Sequence, residues 1–104
     1  MSADREQQFL EMVKEFPDSP MGHFSLGRYY LDAGRYAEGA ARLEEAIRLD
    51  PDYAAALVAL ADAYAGTGEV ERAKQTYERA RATPHGQRDA SLGEDLDRRI
   101  ADLG

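Results

Sequence analysis

Offset against itself by 34 residues, the chain falls back into register. Leu26 lands on Leu60, Tyr30 on Tyr64, Gly34 on Gly68, Glu44 on Glu78 and Ala46 on Ala80. Conservative pairs keep the same register: Gly27 with Ala61, Tyr36 with Val70, and Leu43 with Tyr77. A repeat of this length is one supersecondary unit. It cannot bury its apolar face alone and must stack on a neighbour.

Each unit reads as a helical hairpin. In residues 20–51, Ser19 is placed to cap a helix and Pro20 to occupy its first position, where a missing N–H costs nothing. His23, Leu26, Gly27 and Tyr30 share one helical stripe. Gly34 supplies the backbone freedom for a tight turn. Ala40, Leu43, Ala46 and Ile47 form the stripe of the return helix, which Pro51 ends. Residues 54–84 repeat the plan. Asp52 is expected to cap the start, and Leu57, Leu60, Ala61 and Tyr64 form the first stripe. Gly68 makes the turn, Val70, Ala73, Tyr77 and Ala80 form the second stripe, and Pro84 stops it.

These spacings resemble the tetratricopeptide repeat family. Its pattern runs from a large residue to Leu-Gly, then Tyr, then Ala, a large residue four later and a terminal Pro. The first copy is His23, Leu26-Gly27, Tyr30, Gly39, Leu43, Ala46 and Pro51. The second is Leu57, Leu60-Ala61, Tyr64, Ala73, Tyr77 and Ala80, with Pro84 one residue early. The stretch from Gly34 to Pro51 is especially typical, and the resemblance covers about two thirds of the chain. It implies an all-α fold, a right-handed stack of antiparallel helical hairpins (an α-solenoid) with about six helices in one domain, 1–104. Three features depart from the pattern. His23 stands for a large apolar residue. Gly39 stands for Ala, at ~1 kcal/mol of helix propensity. The early Pro84 suggests that the array ends there.

The two ends read as lids. Shifted back by 34, Pro51 lands on Pro17, Leu43 on Phe9 and Ile47 on Val13, so residues 1–16 form the second helix of an incomplete repeat. Phe9, Leu10, Met12, Val13 and Phe16 give that helix a broad apolar face with which to cover the first repeat. At the other end, Ser91 and Glu94 have capping-box spacing. Leu92, Leu96, Ile100 and Leu103 recur on one face, while Asp95, Asp97, Arg98, Arg99 and Asp102 take other positions. This predicts an amphipathic capping helix over 87–103.

Composition narrows the function. With 104 residues, 43% hydrophobic and 32% charged, the chain suits one soluble globular domain. It has no cysteine, so disulfides and thiolate chemistry are excluded. A net charge of −7 disfavours nucleic acid and anionic lipid as partners. The polar N-terminus lacks the apolar core of a secretory signal, and no apolar run approaches a membrane span. The expected location is therefore cytoplasmic.

No catalytic, metal or cofactor constellation emerges, so an enzyme is not expected. His23 lies on a packing stripe and reads as a core histidine. His85 follows Pro84 far away in sequence, and no HExxH spacing occurs. Glu44-Glu45 and Glu94-Asp95 are helix neighbours that do not face each other. Ser19, Ser25 and Ser91 lack a nucleophile-elbow context, and Gly66-Thr67-Gly68 lacks the lysine of a phosphate loop.

The resemblance implies that the first helix of each repeat lines a concave partner-binding face. Off the packing stripes, that face carries Met21, Phe24, Arg28 and Leu31, then Ala55, Val58, Asp62 and Ala65. It is apolar apart from Arg28 and Asp62. That suits an apolar peptide or an amphipathic helix from another protein, with the two charges fixing its orientation. The competing expectations are that a lid helix covers Met21 and Phe24, or that a second copy does so and the face makes a homodimer. Tyr29 is expected to pack on the N-terminal lid. Family members that hold acidic C-terminal tails do so with Lys and Asn. The corresponding positions here offer Phe24, Arg28, Val58, Ala59 and Asp62, so no such clamp is expected.

Overall fold

The computed structural model describes residues 2–103 and is built from seven helices among them. They are α1 (Ser2–Glu15), α2 (Pro20–Asp32), α3 (Tyr36–Leu49), α4 (Ala54–Gly66), α5 (Val70–Ala82), α6 (Pro84–Arg88) and α7 (Ala90–Asp102). Helices α2 and α3 form one antiparallel hairpin and α4 and α5 the next. Helix α3 packs on α4, α1 packs on α2, and α7 packs on α5.

The two hairpin turns are the same device used twice. Gly34 has φ 78° and Gly68 φ 82°, a left-handed conformation that a side chain would oppose. Beyond each glycine the chain doubles back with two bonds that satisfy orphan helix carbonyls. Gly34 N–H donates to Leu31 O and Arg35 N–H to Tyr30 O; Gly68 N–H donates to Ala65 O and Glu69 N–H to Tyr64 O. The Arg35 guanidinium also lies 4.3 Å from the centre of the Tyr30 ring.

Capping differs from the sequence expectation at three starts. Ser19 is extended at the N-cap of α2, but its side chain makes no capping bond, so Pro20 carries the start signal. Tyr53, not Asp52, precedes α4, and the Asp52 N–H instead donates to Asp50 Oδ1. The expected single helix over 87–103 is broken at Asp89. Pro84 both stops α5 and opens the short helix α6, whose Gly86 N–H donates to Thr83 Oγ1 at 3.0 Å. Asp89, not Ser91, then caps α7 by accepting from Leu92 N–H at 3.0 Å.

Leu26, Leu43, Leu57 and Leu96 are fully buried, and Leu43, Leu57 and Leu96 belong to one core that ties α3, α4, α5 and α7 together. The α2–α3 crossing is the tightest point. A Cβ placed on Gly27 would stand 2.8 Å from Leu43 Cγ and 3.2 Å from Gly39 O. A Cβ on Gly39 would stand 2.6 Å from Leu31 Cδ2 and 3.1 Å from Gly27 O. Gly39 is therefore the small partner of a large Leu31. Repeat two solves the same crossing with Ala73 and Ala65 at the equivalent positions. Helix propensity alone would favour alanine at 39, but the occupied space opposes it. Gly39→Ala should cost ~1 kcal/mol in urea unfolding, and in a Leu31→Ala background the same change should stabilise. Identical effects in both backgrounds would contradict the pairing.

Candidate ligand-binding face

Helices α2 and α4 run side by side, and the Phe24 and Tyr53 rings meet across them with centroids 5.2 Å apart. Beside them lies a trough of about 350 Å³. Phe24 and Arg28 from α2, Ala55, Val58 and Ala59 from α4, His85 from α6, and Leu92, Asp95 and Arg99 from α7 line it. A second hollow, of about 270 Å³, lies between α1 and α2 and is lined by Arg5, Phe9, Phe24, Ser25, Arg28, Tyr29 and Asp32. Phe24 and Arg28 border both, so they form the partition between a trough with an apolar floor and an aromatic hollow rimmed by Arg5, Arg28 and Asp32.

The eight residues expected on this face divide. Phe24, Arg28, Ala55 and Val58 line the trough together. Leu31 turns into the hairpin against Gly39, and Ala65 packs on the core, both half-buried. Met21 is 64% exposed and borders neither hollow.

Asp62 is engaged inside the protein. It accepts the Tyr77 hydroxyl at 2.5 Å and Arg99 Nη1 at 2.7 Å, while Arg99 Nε reaches Asp95 at 2.9 Å. Burial and then the neighbouring Asp62 carboxylate push the Tyr77 hydroxyl up to about 12. Burial pulls the Arg99 pKa down, but the Asp62 charge and the bonds to Asp62 and Asp95 outweigh it and hold it above the ordinary arginine range. Asp62, expected to help orient a ligand, is held by Tyr77 and Arg99 and ties α7 to α4.

Sequence reasoning missed the contribution of α6 and α7. Leu92, Asp95 and Arg99 recur at helical intervals on one side of α7, a signal that was present. The sequence puts Asp95 and Arg99 off the apolar stripe of a lid, and in the fold that edge of the helix forms the wall of the trough. The N-terminal lid behaves as expected at Tyr29, whose ring meets Phe9 at 5.9 Å. It is tied down further by Glu6, which accepts from Tyr30 OH at 3.2 Å and pairs with Arg35 at 2.7 Å.

A third hollow, of about 630 Å³, lies along α3, with Arg42, Glu38, Glu45 and His23 among its lining. His23 is a buried core histidine whose Nε2 donates to Pro17 O at 3.1 Å. Among the described residues no three His, Cys, Asp or Glu side chains gather where a metal could sit. No helix among them is long and apolar enough to cross a membrane.

The family model for the tetratricopeptide repeat matches residues 30–92. The chain belongs to the tetratricopeptide repeat family. A TPR repeat-containing protein of Pseudomonas aeruginosa is 33% identical over 82 residues, covering 77% of this chain and 78% of that protein. The anaphase-promoting complex subunit CDC16 of Saccharomyces cerevisiae is 33% identical over 69 residues, 66% of this chain but 8% of CDC16. Among solved structures, the TPR2B domain of yeast Sti1 in complex with pHsp70 superposes with a TM-score of 0.90 at 20% identity, covering 98% of this chain and 82% of that one. The first TPR of Spaghetti (RPAP3), bound to the HSP90 peptide SRMEEVD, gives 0.82 at 18% identity, covering 97% and 78%. The expected right-handed stack of antiparallel hairpins is the fold of this TPR chain.

Because the Tyr77 proton is held in the folded state, the unfolded chain loses it first as pH rises above 10. That contribution to stability is complete below pH 10 and disappears as pH climbs to about 12. Tyr77→Phe should flatten the alkaline decline in urea-unfolding free energy, by up to ~3 kcal/mol across this window. An unchanged slope would show that the network does not hold the proton.

Proposed function

We propose that this TPR chain is a non-catalytic scaffold that binds an apolar peptide or the apolar face of an amphipathic helix from another protein. The site is the face formed by α2 and α4, with α7 as its wall. One observation carries the reading: an apolar-floored trough and an aromatic hollow rimmed by charges meet at Phe24 and Arg28, a geometry that receives two anchoring side chains either side of a partition. The neighbours in complex with Hsp70 and HSP90 peptides support a peptide-binding role for the fold. Arg28 is the polar contact, because its pairing with Asp32 is loose, at 3.6 Å and half-exposed. Met21, Leu31, Asp62 and Ala65 are left outside the contact set, and Leu92, Asp95 and Arg99 join it. The cytoplasm is the proposed location, with neither nucleic acid nor membrane as partner.

Selection of helical peptides on the immobilised chain, followed by fluorescence anisotropy, tests the site. Selected peptides should be amphipathic and bind at least about tenfold more weakly to Ala55→Glu and to Val58→Asp. Ala55 is exposed, so glutamate there leaves the helix intact. The peptide SRMEEVD should fail to saturate the chain: the sequence contains no asparagine, and its two lysines, Lys14 and Lys74, lie outside both hollows. Selected peptides that bind both variants as tightly as wild type would refute the assignment.

A further inference from the structure

A second surface lies apart from this face. In a stack of antiparallel hairpins, the α1–α2 and α3–α4 junctions fall at one edge, opposite the Gly34 and Gly68 turns. Two large apolar side chains are displayed there: Phe16, 56% exposed, and Met21, 64% exposed. Their backbone is held in place. Phe16 N–H donates to Met12 O and Ser19 N–H to Phe16 O, and Gly22 lets Met12 and Val13 approach to 3.5 Å of where its Cβ would be. The other two exposed large apolar residues differ: Tyr36 is packed over Gly66, and Val70 is its repeat equivalent.

The charge around the pair is one-sided. Glu15 ends α1, Asp18 lies in the junction, Asp50 caps the end of α3, and Asp52 precedes α4. Asp18 and Asp52 sit near helix N-termini, where acids are favourable. Glu15 and Asp50 sit at helix C-termini, where the dipole opposes them. Asp50 accepts the Asp52 N–H, whereas Glu15, Asp18 and Asp52 have no ion pair among the described residues. Of the nearby cations, Arg48 is paired to Glu45 at 2.5 Å and also attracts Asp18, so Lys14 and Arg48 face a larger number of acids. Exposed apolar bulk and unfavourably placed acids therefore coincide, two departures from stability at one place.

We propose that this junction edge docks a basic amphipathic segment of another protein, its apolar side chain seated on Phe16 and Met21 and its lysines or arginines facing Glu15, Asp18, Asp50 and Asp52. Charge complementarity selects this occupant. A second copy of the chain would bring the same acids and a net charge of −7 against them. The surface is separate from the α2–α4 trough, because Phe16 and Met21 line neither hollow.

The test titrates the full chain, at ~0.15 M salt, with a labelled helical peptide of leucine and lysine, its leucines on one face. A leucine–glutamate peptide serves as control. The basic peptide should saturate the chain and bind about tenfold more weakly to Phe16→Ser/Met21→Ser, whose charge is unchanged. It should also weaken on Asp18→Asn/Asp52→Asn, and each titration is run in a Val58→Asp background, in which the α2–α4 trough no longer accepts an apolar helix face. Both apolar positions are exposed, so circular dichroism should find the double variant folded. Equal affinity for Phe16→Ser/Met21→Ser would mean that charge alone holds the peptide, and would overturn the proposal. So would loss of saturable binding in the Val58→Asp background, equal binding of the acidic control there, or a homodimer that Phe16→Ser/Met21→Ser dissolves.

Discussion

The close crossing of α2 and α3 at Gly27 and Gly39 sets the geometry of the first half of the molecule. With no Cβ on either residue, Leu43 and Leu31 fill the space that two larger residues would contest. That brings the helices together and leaves Phe24 and Arg28 on the flank of α2 that faces away from its hairpin partner. Repeat two reaches the same arrangement with alanines at the corresponding positions, and Ala61 and Ala73 are fully buried. The stack is thus one packing solution written in two side-chain alphabets. Its small residues serve proximity as much as propensity.

A second constraint closes the other end. Arg99 reaches from α7 to Asp62 on α4 while holding Asp95 on its own helix, and Tyr77 completes the group from α5. Asp62 keeps 29% of its side chain exposed, and these partners offset the cost of burying the rest. The network places the edge of α7, with Leu92, against the trough. The lid and the wall of the trough are consequently one element, and the polar group that holds the lid also compensates the negative charge of Asp62.

Much of the fold was legible in the 34-residue register, because Gly34, Gly68 and the Leu26/Leu60 and Tyr30/Tyr64 pairs occupy the places where a hairpin stack is least tolerant. The candidate face was legible where helical spacing decides it, at Phe24, Arg28, Ala55 and Val58. It was misread where a tertiary partner intervenes. Asp62 looked free because its partner Arg99 lies 37 residues away in sequence. Leu31 looked outward because nothing in its own helix announces the space above Gly39. The break at Asp89 was hidden by a more familiar signal, Ser91 with Glu94. At the α1–α2 junction, periodicity assigned Met21 to the groove, although the first turn of α2 lies beyond it.

The central claim is that the α2–α4 face is open to a different protein and is not consumed by self-assembly. Size-exclusion chromatography with light scattering over a concentration series, on wild type and Phe24→Asp, tests it most directly. The account predicts the 11.5 kDa monomer at every concentration for both proteins. A concentration-dependent dimer that Phe24→Asp dissolves would show that the face is an assembly surface, and would contradict the account.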